Sequence, residues 1–342
     1  MCGKIGAIIS LLWRQKSYVK GEWAQRAKYK KMSEIQKILV ANRGEIAIRI
    51  MRAATELGIK TVAIYSHEDR LALHRFKADE SYLVGEGLGP VKAYLAGDDI
   101  LRIAKSIGAD AIHPGYGFLS EDPEFADACR DAGFKFIGPD GQAMRDLGNK
   151  VAARNIAIKA GVPVIPATGP LPKDMKKVHD LAAKVGYPLM LKASWGGGGR
   201  GMRVIRSAGE LESQVNEGQR EAANAFGKDE VYLEKLVERA RHIEVQILGD
   251  THGDIVHLFE RDCSVQRRNQ KVIERAPAHF MADDEREDLC QSALKLAKSV
   301  GYYNAGTVEF LMDVDTGEFY FIEVNPRIQV EHTVTEMVTG ID

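Results

Sequence analysis

An α/β fold of two or three packed units, with at least one parallel sheet, is what the sequence predicts. Three observations lead there. From Ile35 onward, short apolar runs alternate with segments of helical spacing, the pattern of strands joined by crossover helices. The 342 residues exceed what one hydrophobic core organises. A content of 45% apolar and 28% charged residues is ordinary for a globular α/β chain.

Taken in order, residues 37–41 (Lys-Ile-Leu-Val-Ala) read as a short buried strand. Residues 44–57 carry helical spacing, with Gly58 as the stop. Residues 61–65 form the next strand, 100–107 a helix ending at Gly108, and 111–113 a further strand. A helix at 150–159 ends at Gly161, and Val162-Pro163-Val164-Ile165-Pro166 opens a second unit. That unit is expected to hold strands at 187–192 and 203–206, a helix at 208–225 and a strand at 231–235. A third unit starts near Ala240, with strands at 243–248 and 255–260.

A formal net charge of -1 supplies no overall field for nucleic acid, so partners must be read from local sites. Cys2, Cys129, Cys263 and Cys290 are widely spaced and include no CxxC pair, which points to a reducing compartment. No apolar run approaches the roughly 20 residues of a spanning helix, so no membrane partner is expected. Residues 1–31 stand apart. Ile5 to Trp13 is apolar and is followed by Arg14, Lys16, Lys20, Arg26, Lys28, Lys30 and Lys31 against a single acid, Glu22. The basic residues follow the apolar stretch instead of preceding it, and no A-x-A-like cleavage site is present. A disordered extension with Met32 as the functional start is expected, and a cytoplasmic location; a targeting peptide is the alternative.

Several segments carry chemistry. The turn Ala41-Asn42-Arg43-Gly44-Glu45 has one glycine where a dinucleotide fold needs G-x-G-x-x-G, which disfavours NAD. The loop from His113 to Glu121 leaves the end of a strand, where open α/β sheets bind ligands, although a plain turn explains its glycines equally well. Between two strands lie Gly196, Gly197, Gly198 and Gly199, preceded by Lys192 and followed by Arg200 and Arg203. Consecutive glycines let backbone N–H groups approach a polyphosphate, and the cations add charge. The segment matches neither a P-loop nor a kinase glycine loop.

Residues 306–314 and 318–325 are two strand-like runs joined by Asp315-Thr316-Gly317, read as a three-residue hairpin loop. Pairing Val314 with Glu318 sets Glu309 opposite Glu323 on one face, with Leu311, Phe319 and Phe321 expected beside them. Two carboxylates with Cβ atoms roughly 4.5–5.5 Å apart repel unless a proton or cation lies between them. A hard divalent cation is the natural resident, and Asn325 would add an oxygen ligand. Beyond it Glu323, Asn325, Arg327, Gln329 and Glu331 alternate with apolar Ile322, Val324, Ile328 and Val330, so one side packs and the other lines a site. The run Arg261 to Lys271 reads by itself as a solvated basic loop. Beside a polyphosphate and a metal it would supply cations for a small anion.

At these residues the chain resembles the ATP-grasp biotin carboxylases. The likeness spans 35–342 and is most specific at 37–48, 113–121, 192–202, 260–277 and 321–336. Trp195, Asn269 and Thr333 are similar to the branch found in bacterial pyruvate carboxylases. The resemblance implies a Rossmann-like N-terminal (pre-ATP-grasp) domain at 32–148 and an ATP-grasp domain at 149–342. Within the latter it implies a lid at about 163–236 and a C-terminal subdomain at 237–342.

By position, the resemblance implies that Lys150 and Lys192 contact ATP phosphates and that Gly196 to Gly199 fold over them. Glu234, Lys235 and Leu236 would form an adenine hinge, with His242 and Gln266 near the ribose and Asn269 near the nucleotide. Glu309 and Glu323, assisted by Asn325, would hold Mg²⁺ or Mn²⁺. Lys271, Arg327, Gln329 and Val330 would bind bicarbonate, Glu331 would act as its base, and Arg327 would steady the biotin anion.

The family's domain continues past the position of Asp342 with a further arginine that contacts biotin and bicarbonate. A truncated C-terminal part, with weakened nucleotide binding or turnover, is therefore expected. Without an A-M-K-M biotinylation motif or a carboxyltransferase domain, the biotin carrier and the acceptor site are expected elsewhere, and a homo-oligomer is expected. Alternatives are another ATP-grasp ligase, such as a carbamoyl phosphate synthetase relative, or a non-catalytic nucleotide-binding or assembly module.

Overall fold

Each of the three sheets buries its own apolar core, and the computed structural model describes them through residues 35–194, 202–268 and 270–342. In the first, β1 (Lys37–Val40), β2 (Lys60–Tyr65), β3 (Glu80–Leu83), β4 (Ala111–His113) and β5 (Lys135–Phe136) pair in parallel in the order β3-β2-β1-β4-β5. Helices Gly44–Glu56, Gly97–Ser106 and Pro123–Asp131 make crossovers. Leu39, Val62, Ile64, Ile100, Ile112 and Phe125 fill the layer between strands and helices. The strand order reverses at β1, so the loops after β1 and β4 diverge and open a crevice at the carboxyl edge of the sheet. The loop His113 to Glu121 lies on that edge.

The second sheet is small and antiparallel: β6 (Leu189–Ala193), β7 (Arg203–Ile205) and β8 (Val231–Lys235), in the order β7-β6-β8. Helices Met175–Val185 and Leu211–Phe226 pack on it through Val178, Ala182, Leu211 and Val215. A Cβ at Gly218 would come within 2.4 Å of Leu191 Cδ2, so glycine sets how closely the second helix sits. Gly196 to Gly199, between β6 and β7, and Asn269 lie outside the described residues.

The third sheet carries the polar positions singled out above. It consists of β9 (Ala240–Gly249), β10 (Ile255–Arg267), β11 (Gln270–Arg275), β12 (Asn304–Asp313) and β13 (Phe319–Asn325), antiparallel in the order β11-β10-β9-β12-β13. One face packs Val245, Ile247, Val308, Phe310 and Phe321 against helices Gly141–Gly148, Lys150–Lys159 and Asp283–Ser299. The last of these is capped by Glu285, whose carboxylate accepts from the Ala282 N–H at 2.8 Å.

Four sequence expectations need correction here. The segment from Arg261 onward is not a solvated loop: β10 continues to Arg267, because β9 and β11 supply ladder partners on both sides. The β12–β13 loop is one residue longer than expected. The Asp313 N–H donates to Glu318 O at 2.8 Å, and Val314 to Gly317 form the turn. A bulge between the pairs Glu309↔Glu323 and Phe310↔Phe321 then recovers the shifted residue. It turns Phe319 and Phe321 to the core, where both meet Phe310 edge-on, instead of leaving them beside the glutamates. Val330 is not packed; it is 60% exposed.

Candidate active site

A single row of side chains crosses four strands of the third sheet. Arg261 on β10 pairs with Glu244 on β9, Glu244 with Glu309 on β12, and Glu309 with Glu323 on β13. Three carboxylates thus stand side by side, and the cations around them explain how the row tolerates burial. Arg261, 0% exposed, donates to Glu244 Oε1 at 2.5 Å, Gln246 at 2.9 Å and Thr335 at 2.8 Å, and also reaches Thr307 and Gln329. Lys271, entering from β11, places its amine on Glu244, on Glu309 at 2.8 Å and on Glu331 at 2.6 Å.

Burial alone would lower the Lys271 pKa, but Glu309, Glu244 and Glu331 together raise it, so the amine stays charged. Burial would likewise raise the Glu309 pKa, yet His242 and Lys271 bring it far below the usual range. His242 Nε2 lies 2.7 Å from Glu309 Oε2, and Gln266 contacts its other ring nitrogen at 3.0 Å. Burial lowers the pKa of this imidazole, and Glu309 more than compensates, so it is raised. Buried Cys263, closely grouped with Glu244 and Glu331, has its thiol pushed well above the ordinary value, chiefly by burial.

Glu323 is held by Lys150, 3.0 Å away. That lysine opens the helix Lys150–Lys159, whose first turn is fixed by Asn149 accepting from Val151 N–H and Ala152 N–H. In the second sheet Lys192 pairs with Glu234, which also accepts from Tyr232. Lys235 points elsewhere, capping the carbonyls of Gly186 and Tyr187, and the Leu236 N–H is taken by Pro188 O at 3.0 Å. Of the expected adenine hinge, Glu234 therefore stands with the lysine set, while Lys235 and the Leu236 N–H are engaged with the protein's own backbone.

Past β13, Arg327 reaches back to Asn325 Oδ1 at 3.1 Å and Ile328 O at 3.2 Å and pairs with Glu121 of the first unit. Asn325 gives its NH₂ to Glu309 at 2.8 Å. Its oxygen faces Arg327 and not the glutamate pair, so this arrangement does not present it as a metal ligand. Gln329 is buried with its amide oriented by two partners: its oxygen accepts from Arg261 and its nitrogen donates to Glu309 at 3.1 Å. Glu331 and buried His332 begin the helix His332–Thr339, which covers this face through Thr335.

Glu244 is absent from the sequence expectations, and Arg261 enters them only as the start of the basic run to Lys271, not as a buried anchor of the row. The signal for Glu244 exists: His242, Glu244 and Gln246 alternate with Ile243, Val245 and Ile247, as the residues around Glu323 do. Arg261 carries none, because three consecutive charged residues, Glu260, Arg261 and Asp262, read as surface.

A family model described as the biotin carboxylase N-terminal domain matches residues 34–144, and one described as the ATP-binding domain of the carbamoyl-phosphate synthase L chain matches 149–342. The biotin carboxylase domain of Hydrogenobacter thermophilus 2-oxoglutarate carboxylase, solved with MgADP, ADP and bicarbonate, is 48% identical. It superposes with a TM-score of 0.84 over 90% of this chain and 67% of that one. The chain belongs to the biotin carboxylase family. Within that family, pyruvate carboxylase of Staphylococcus aureus is 57% identical over 91% of this chain. Rhizobium etli pyruvate carboxylase T882A, solved with acetyl coenzyme A, is 69% identical with a TM-score of 0.83 over 90% of the chain. The chain spans 27% of the length of the first of these and 28% of the second. A Rossmann-like unit precedes an ATP-grasp unit here. No helix among the described residues is long and apolar enough to cross a membrane.

Proposed function

We propose that this chain carboxylates biotin with bicarbonate at the expense of ATP, with Mg²⁺ or Mn²⁺, as the first half-reaction of a biotin-dependent carboxylase of the pyruvate carboxylase type. The observation that carries the reading is the Lys271 amine held among Glu244, Glu309 and Glu331. A half-buried cation thus lies against a carboxylate able to serve as a base, beside a row of hard oxygen donors.

The donor set suits a hard divalent ion, since Glu309 and Glu323 are cross-strand neighbours with only oxygen atoms to offer. Glu244, Glu309, Glu323 and Glu331 face Lys150, Lys271, Arg261 and His242, so the charges already balance when the imidazole is protonated. A metal arriving alone would have to displace a cation. When nucleotide arrives with it, the phosphates give Lys150 and Lys192 new partners and release Glu323 and Glu234. When bound, the metal neutralises phosphate charge during transfer.

In the proposed reaction Glu331 takes the bicarbonate proton while a bicarbonate oxygen bonds to the γ-phosphorus and the bond to the β-phosphate oxygen breaks, leaving ADP and carboxyphosphate. Lys271 and Arg327 hold the anion, with Gln329 and the Val330 backbone beside it. Carboxyphosphate splits into CO₂ and phosphate, and the phosphate takes the ureido proton of biotin. Arg327 then steadies the biotin anion as its nitrogen bonds to CO₂.

The reading includes a biotinylated carrier domain, a carboxyltransferase elsewhere, pyruvate as eventual acceptor, association with further copies of the chain and a cytoplasmic location. Cys129, Cys263 and Cys290 are all free and buried, which fits a reducing compartment. ATP cleavage is expected to require bicarbonate and to rise with free biotin. Cleavage indifferent to both would overturn the reading, and cleavage dependent on ammonia would select a carbamoyl-phosphate-synthase-like ligase.

A further inference from the structure

We propose that Glu121, carried by the loop after β4, is a positioning residue that sets the orientation of the Arg327 guanidinium; this rests on the role given to Arg327 above. Arg327 has five N–H groups. One is taken by Glu121, one by Ile328 O and one by Asn325 Oδ1. One N–H on each terminal nitrogen has no acceptor among the described residues, a set that a planar oxyanion can take two at a time. Asn325 and Ile328 are Arg327's own near neighbours in sequence and move with it. Glu121 is the one described acceptor that ties the guanidinium to another unit of the molecule.

The loop that carries Glu121 is built to hold it still. Asn42, from the turn after β1, donates to Pro114 O at 2.6 Å and Tyr116 O at 2.8 Å. Gly115 adopts φ +66, and a Cβ there would meet Asn42 Nδ2 at 2.9 Å. Phe118 is held at φ 44, a conformation a bulky residue keeps only when its surroundings over-determine it, and its ring packs on Tyr94 at 5.1 Å. The Ser120 N–H donates to Gly117 O, and Asp122 caps the helix Pro123–Asp131 through the Phe125 N–H at 2.9 Å. Glu121 is thus clamped between a closed turn and a capped helix. His113, Gly115, Ser120, Pro326, Arg327 and Ile328 line one small cavity, so the loop and Arg327 border the same space.

Two measurements on the full chain test this. In bicarbonate saturation curves of ATP cleavage, Glu121→Ala should raise the KM for bicarbonate by about tenfold while the KM for ATP stays within about twofold. Glu121→Gln, which keeps an acceptor but no charge, should restore most of the loss. An unchanged bicarbonate KM in the alanine variant would overturn the proposal. So would a lowered one, which would mean that Glu121 only repels the anion. The second readout needs no turnover: the Nε–H proton resonance of Arg327, assigned by its loss in Arg327→Lys, should shift and exchange faster in Glu121→Ala. If it does neither, the clip is absent. A flat bicarbonate curve for the unaltered chain would sink the carboxylase reading while the resonance still decides the clip.

Discussion

In the parallel sheet the central strands are buried on both faces, and the polar groups at the crevice, Asn42, His113 and Glu121, come from the last residue of a strand or the loops just beyond. In the C-terminal antiparallel sheet the strands themselves carry Arg261, Glu244, Glu309 and Glu323 on one face. A strand sandwiched between two helical layers has no face to spare for charge, so chemistry moves to its ends. A strand in an antiparallel sheet can dedicate one face to the core and the other to a site. Substitutions should therefore act on turnover and on the stability of a charged row in one region, and on loop shape in the other.

The largest effect is expected at Glu331. Glu331→Gln keeps shape and removes the base, so bicarbonate-dependent turnover should fall about a thousandfold, with nucleotide binding little changed in a fluorescent-nucleotide titration. Equal turnover would remove Glu331 from the mechanism. Next comes Arg261→Met, which leaves Glu244 buried with Lys271 as its remaining cation. Losing one partner of a buried charge network should cost about 3 kcal/mol, read as a lowered urea midpoint. A midpoint unchanged by the substitution would show that the row does not depend on its arginine.

The loop side should respond to pH instead. His113 Nδ1 accepts the Gly115 N–H at 3.0 Å, which requires a neutral ring on that side, and burial lowers its pKa from 6.5 to about 4. A base whose folded value is depressed binds fewer protons folded than unfolded, so its stabilisation is complete above 6.5 and declines as pH falls toward 4. Between pH 7 and 5 the chain should lose about 2 kcal/mol through this residue, and His113→Gln should flatten that slope. Identical slopes would mean that the loop does not sense the ring's protonation.

Much of this contrast is legible in the sequence. Apolar runs and glycine stops mark β1, β2 and β4, and the helix Lys150–Lys159 falls where its spacing puts it. The facing of Glu309 and Glu323 follows from symmetry about the turn, although it is reached through a longer loop and a compensating bulge. Nothing in the local pattern around Ile322 marks that bulge, which is why Phe319 and Phe321 read as lying on the wrong face. Glu244 shows the same polar alternation as Glu323 and is readable by the same rule. Arg261 is not, because a buried cation is recognisable only from the partners that folding brings to it, and Thr335 and Gln329 lie far along the chain.

In the proposed function the glutamate row exchanges its lysine partners for a divalent ion that comes in with nucleotide. Titrating Mn²⁺ by paramagnetic resonance, with and without ADP, in the unaltered chain and in Glu323→Gln, tests it most directly. Tight Mn²⁺ binding only when ADP is present, weakened about tenfold or more by Glu323→Gln, is the predicted result. Binding that is equally tight without nucleotide, or indifferent to Glu323, would contradict it.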